Sequence, residues 1–145
     1  MSAVAAPAVV NVRRVIAASP KALFEAWLDP ESLGAWMRPF DTTRTEARVD
    51  ARVGGSYAID MHTPGGIVEH RGEYVAIEPH TRLVFTWNSQ HTGGASLVTV
   101  RFTPQGQGTE VHVMHEKLPA DKLDAHTGGW TSALEKLQGF AGADA

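Results

Sequence analysis

Apolar positions along this chain keep two different periods, and the switches between them predict the order of its elements. From Val9 to Ile16 β-branched residues are dense, which favours an extended strand with Val10, Val12 and Ile16 on its inner face. Ser19-Pro20 then opens a helix, because serine caps free N–H groups and proline occupies a first turn without losing a bond. Leu23, Phe24 and Trp27 lie three or four residues apart and share its inward face. Asp29-Pro30 repeats the start signal for a second short helix through Leu33, Trp36 and Met37, which Pro39 stops.

Beyond Pro39 the period becomes two, in short segments broken by glycine, proline and polar clusters. Strands are expected from Thr43 to Asp50, Ser56 to His62, Ile67 to Ile77, Arg82 to Asn88, Ser96 to Thr103 and Thr109 to Glu116. Six such segments in succession argue for an antiparallel meander and against a doubly wound parallel sheet. After Pro119 the helical period returns, with Leu123, Thr127, Trp130, Leu134, Leu137 and Ala141 on one stripe. Gly128 and Gly129 interrupt it at roughly 1 kcal/mol each, which points to a close backbone approach, a kink or a late helix start. The order implies an α+β domain spanning 9–141, a curved antiparallel sheet around a long C-terminal helix, with frayed tails at 1–8 and 142–145.

Alternation across each strand identifies the concave face. Tyr57, Ile59 and Met61 share one parity, as do Leu83, Phe85 and Trp87, then Val98, Val100 and Phe102, then Val111, Val113 and His115. For most of these residues a packed core is the expected role. A bent sheet against one helix also leaves a wedge that a ligand can occupy, with apolar walls and a few inward polar groups. The candidate pocket positions are Trp36, Phe40, Tyr57, Ile59, Met61, Tyr74, Phe85, Trp87, Val98, Val100, Phe102, Val113, His115, His126, Trp130 and Leu134. His115 continues the inward parity of its strand; a lone histidine there is more often a satisfied structural group than a ligand contact. His126 lies one turn before Trp130, where a pocket mouth, a capping role and solvent exposure all remain open. Tyr57 and Tyr74 offer hydroxyls either to a ligand or to backbone and solvent.

Composition narrows the chemistry. With 13 basic against 16 acidic side chains and no run of either sign, the chain has no electrostatic footprint for nucleic acid or an acidic membrane. The absence of cysteine removes disulfides, thiolate metal sites and thiol nucleophiles, and fits a reducing, cytoplasmic setting. The first ten residues lack the basic leader and the long apolar run of a signal peptide or membrane span. Seven histidines raise the question of a metal, yet His112 and His115 stand three apart in a strand and face opposite ways, and no ligand motif occurs. The paired glycines sit in turns without a phosphate-binding helix, and no nucleophile elbow is present. Asp60, Glu69, Glu73 and Glu116 are spaced as a solvated outer face. No catalytic residue is assigned, and neither metal nor cofactor is expected.

Several fragments in order complete a pattern: Ala18-Ser-Pro20, Trp27-Leu-Asp-Pro-Glu31, Trp36-Met-Arg-Pro39, Val53-Gly-Gly55, Pro64-Gly-Gly66, Gly72-Glu-Tyr74, Arg82-Leu-Val-Phe-Thr-Trp87, His115-Glu116 and Gly129-Trp130-Thr. From about Val10 to Phe140 the chain resembles the family related to activators of the heat-shock protein 90 ATPase. That family lies within the START-like, birch-pollen-allergen-like helix-grip superfamily also called SRPBCC. The resemblance implies seven strands around the C-terminal helix, and a carrier or sensor of a hydrophobic small molecule. Superfamily relatives include polyketide cyclases and other enzymes working in the same cavity, so the resemblance leaves cyclase-like or hydrolytic activity open for this chain. A chaperone-binding module is the alternative; it ranks lower, because relatives that stimulate the chaperone use an extra N-terminal domain and none is expected before Val9. A dimer-forming domain with a filled interior is the third possibility, in which the partner is a second copy of the chain, a homodimer.

Overall fold

A computed structural model describes residues 9–142. The chain runs β1 (Val10–Ile16), α1 (Pro20–Leu28), α2 (Pro30–Trp36), β2 (Arg44–Val49), β3 (Ser56–Thr63), β4 (Gly66–Glu78), β5 (Arg82–Trp87), β6 (Ser96–Gln105), β7 (Gly108–Glu116) and α3 (Leu123–Ala141). The seven strands form one sheet in the order β1-β7-β6-β5-β4-β3-β2, every neighbouring pair antiparallel. This is the expected α+β helix-grip arrangement, a curled sheet closed by α3, with α1 and α2 following the first strand. Strand limits differ from expectation by one or two residues, some shorter and some, such as β4 and β6, longer because ladder pairing continues into the turns. The expected frayed ends at 1–8 and 143–145 lie outside the described residues. Gly142, expected in the tail, caps α3 by donating its N–H to the Gln138 carbonyl at 2.8 Å.

Local chemistry sets the helix starts. The Ser19 hydroxyl accepts from the Ala22 N–H at 3.1 Å, and the Asp29 carboxylate from the Ser32 N–H at 2.9 Å, each with proline next in the chain. The fully buried Trp36 donates its indole N–H to the Ala26 carbonyl at 2.9 Å and so ties α2 to α1. In α3 the glycine pair marks a close approach. A Cβ on Gly128 would lie 3.1 Å from the Phe40 ring, and one on Gly129 3.7 Å from it. The helix is regular from Leu123, following a 3-10 turn at Ala120–Lys122. One stripe position departs from expectation: Thr127 is exposed and returns its hydroxyl to the Leu123 carbonyl at 2.9 Å, whereas Ala133 takes a place in the core.

The inner face is the one that alternation selects. Register places Val98 beside His115, Val100 beside Val113 and Phe102 beside Val111, all buried. Between the isolated Arg71–Asn88 bridge and the Tyr74–Phe85 pair the β4–β5 ladder is unpaired at Gly72 and Glu73, and side chains complete its bonds there. The Tyr57 hydroxyl crosses β4 to donate to the Thr86 carbonyl at 2.6 Å, and the Thr86 hydroxyl accepts from the Glu73 N–H at 2.9 Å. Gly72 leaves the room for this crossing: a Cβ there would sit 2.0 Å from the Thr86 carbonyl oxygen and 2.6 Å from the Tyr57 ring. Gly72→Ala is therefore expected to cost about 2 kcal/mol or more through forced backbone and ring displacement. A lowered urea midpoint checks this, and an unchanged one would show that the crossing is dispensable.

Candidate functional site

The wedge between sheet and helix opens beside the start of α3. There a cavity of about 270 Å³ lies between the first turns of α3, the segment after α2 and the strands β3 to β5. Met37, Phe40, Met61, Trp87, Trp130 and Ala133 make its apolar wall, and Thr42, Thr63, Ser89, His70, His91 and His126 supply polar atoms. Phe40 stands at the mouth, 61% exposed and at φ +55, its N–H donating to the Ser132 hydroxyl of α3 at 2.8 Å. A bulky residue with positive φ is held there by its surroundings, here by that bond and by the glycine pair beneath its ring.

Of the residues expected in the pocket, Phe40, Met61, Trp87, His126 and Trp130 line this cavity. Trp36, Tyr57, Ile59, Tyr74, Phe85, Val98, Val100, Phe102, Val113, His115 and Leu134 do not; they are buried in the core behind it. The reason is steric. Trp27 lies between Trp130 and Phe102, with ring centroids 5.9 and 6.5 Å away, and Trp87 meets Trp130 at 5.2 Å. These rings fill the middle of the wedge, leaving a void of about 10 Å³ beside Trp27, Tyr57, Tyr74 and Phe85. That is room for roughly one water molecule.

His115 illustrates the consequence. It is fully buried, and its Nδ1 accepts from the Trp130 indole N–H at 3.0 Å. An indole nitrogen only donates, so the imidazole proton is on Nε2, which donates to the Ser96 hydroxyl at 2.7 Å. Ser96 in turn donates to the Trp87 carbonyl. The pair looks like a serine–histidine dyad, but its proton order is reversed and Ser96 is only 1% exposed. Among the described residues no carboxylate orients the ring, and its second nitrogen is taken by Trp130. It is a structural relay. Burial, aided by the nearby His126 and His70, pushes the His115 pKa down to about 3.

His70 was not among the expected residues. It is 6% exposed, lies against Trp87 with centroids 4.5 Å apart, and donates Nδ1–H to the Ile59 carbonyl at 3.3 Å. Burial pushes its pKa down to about 4. The signal was present, since an outward Glu69 and Glu73 place His70 inward by alternation. His126, half-buried on α3, donates Nδ1–H to the Lys122 carbonyl at 2.9 Å. His91 and Ser89 come from a loop whose sequence carries no such periodicity. Among the described residues no three His, Asp or Glu side chains gather as a metal site, and no helix is long and apolar enough to cross a membrane. A second, more open groove of about 830 Å³ runs beside Arg48, Asp50, Arg71, Glu73 and Asn88, with charged side chains along it.

A family model described as Activator of Hsp90 ATPase homolog 1-like protein matches residues 17–142. The chain belongs to this family. Among solved structures, a protein from Chromobacterium violaceum is similar to this AHSA1-like chain with a TM-score of 0.82 and 24% identity, over 92% of this chain and 96% of the other. A protein from Nitrosomonas europaea matches with a TM-score of 0.80 and 18% identity, over 94% and 95% of the two chains. The AHSA1-like protein from Aeromonas hydrophila matches with a TM-score of 0.76 and 23% identity, over 94% of each. These likenesses are of fold. No curated protein matches the chain.

The two buried imidazoles of this AHSA1-like domain link its stability to pH. Both stay neutral in the fold, whereas in the unfolded chain each binds a proton below about pH 6.5. Stability is therefore complete above that value and is lost as pH falls toward the folded values of about 4 for His70 and about 3 for His115. The pair is expected to cost about 4 kcal/mol of stability by pH 5. Urea midpoints between neutral pH and pH 5 measure it, and His70→Phe should roughly halve the slope.

Proposed function

We propose that this AHSA1-like domain binds a small, largely apolar molecule in the cavity at the open end of the wedge. One observation carries the reading: a half-open cavity of about 270 Å³ walled by Trp87, Trp130, Met37 and Met61, with the nearly buried His70 in its lining. Apolar walls with a few convergent polar atoms are the usual constitution of a ligand site. Membership of a fold family whose members commonly bind hydrophobic ligands supports it. The volume sits just below the roughly 300 Å³ at which small-molecule pockets begin, so it suits one or two fused rings rather than a long acyl chain or a sterol.

Binding fits the geometry better than cyclase-like or hydrolytic turnover. Among the described residues no hydroxyl lining the cavity is hydrogen-bonded to an imidazole or carboxylate: Thr42 donates to the Pro39 carbonyl, Thr63 to the Gly66 carbonyl, and Ser89 accepts from the His91 N–H. The chaperone-binding alternative rests on the family description alone.

Two-ring aromatic compounds are expected to raise the melting temperature and quench tryptophan fluorescence, because Trp87 and Trp130 line the site. Ala125 is exposed on α3 at the cavity rim, so Ala125→Trp should fold normally and obstruct the mouth. Loss of both responses in that variant is the expected result. Equal stabilisation of the two proteins would place binding elsewhere and overturn the proposal.

A further inference from the structure

We infer, on the footing of the binding reading above, that the occupant is a neutral molecule bearing a hydroxyl group, a phenol or an alcohol rather than a carboxylate, seated against His70. The inference follows from which atoms lining the cavity are already committed. A carbonyl oxygen only accepts, so the Ile59 carbonyl fixes the His70 proton on Nδ1. The neutral ring then carries a bare lone pair on Nε2, for which the described residues offer no hydrogen-bond partner. His126 repeats the arrangement, its Nδ1–H held by the Lys122 carbonyl. The Thr42 and Thr63 hydroxyls have given their protons to backbone carbonyls at 2.7 and 2.8 Å, so both present lone pairs.

Trp87 lines the same cavity, its ring 4.5 Å from that of His70, and its indole N–H, a donor, also has no partner among the described residues. A hydroxyl donates and accepts at once, and can serve both neighbours. A carboxylate cannot. Among the described residues no lysine or arginine lines the cavity, and the only fixed charge there is that of Asp41, so an anion would surrender its hydration to meet lone pairs and a like charge. Burial keeps His70 neutral near pH 7, which prevents the ring from becoming a cation that would welcome the anion.

Fluorescence titration near neutral pH with 2-naphthol, 2-methoxynaphthalene and 2-naphthoate tests this, because the three share a ring system and differ only in the polar group. The methoxy compound accepts from Trp87 and has nothing to donate to His70. 2-Naphthol is expected to bind about five- to tenfold more tightly than 2-methoxynaphthalene, the worth of one hydrogen bond, and 2-naphthoate more weakly than either. His70→Phe, which keeps the ring against Trp87 and removes the nitrogen, should erase the preference for naphthol while leaving the methoxy affinity unchanged; a merely structural role would weaken both. Equal affinities in the wild-type protein, or tightest binding of the carboxylate, would overturn the inference without any variant and leave the binding reading standing. Absence of binding by all three would remove the binding reading, and this inference with it.

Discussion

The Trp130 indole can only donate, and from that constraint the order of protons through the middle of the molecule follows. Trp130 on α3 bonds His115 on β7, His115 bonds Ser96 on β6, and Ser96 bonds the Trp87 carbonyl on β5. Three neighbouring strands and the closing helix are thereby joined through side chains deep in an otherwise oily interior. Every member is satisfied, so the desolvation of a histidine and a serine is offset; loss of any partner would leave a buried polar atom unpaired, at a cost of about 1–3 kcal/mol. Because the chain of bonds has one length, it also sets how close α3 comes to the sheet.

That separation has different consequences at the two ends of the helix. Toward the C-terminal half, α3 presents Leu134 and Leu137, both fully buried, and the interior closes. Beside Trp130, Trp27 stacks on its ring at 5.9 Å and meets Trp36, Phe85 and Phe102 in edge and tilted contacts at 4.8 to 6.5 Å, which fills the space. Toward the N-terminal turns the helix carries Ala125, Gly129 and Ala133, which are too small to reach β3 and β4. The cavity is the space those small residues leave, and Phe40, resting on the glycine pair, forms its rim. The histidine that completes the structural relay and the histidines that edge the cavity stand side by side, with His115 and His126 centroids 5.1 Å apart. One group of imidazoles thus serves two purposes, decided by which ring nitrogens the fold has already engaged.

Much of this was legible without coordinates. The caps at Ser19 and Asp29 are local chemistry, complete within four residues, and need no tertiary partner. Inner-face parity was equally legible, since alternation is a property of the extended chain: Tyr57, Ile59, Met61, Phe85, Trp87, Val98, Val100, Phe102, Val113 and His115 are all buried as that parity requires. The same rule placed His70 inward through its neighbours Glu69 and Glu73, and the charged pair outshone the residue between them. Which inward side chains face space was not legible in the same way, because periodicity reports the side of a strand and is silent on what stands opposite.

The chain by itself determined the elements, their order, the buried faces and the family, because caps, turns and alternation act over a few residues and leave their mark in sequence. Only the tertiary structure decided where the empty space lies and what its walls offer. Trp27 filling the centre, Tyr57 crossing Gly72, Phe40 settling on Gly128 and the Ile59 carbonyl taking the His70 proton all join residues far apart in the chain. Packing of that kind depends on the volumes and donor directions of several side chains at once, which no local pattern records.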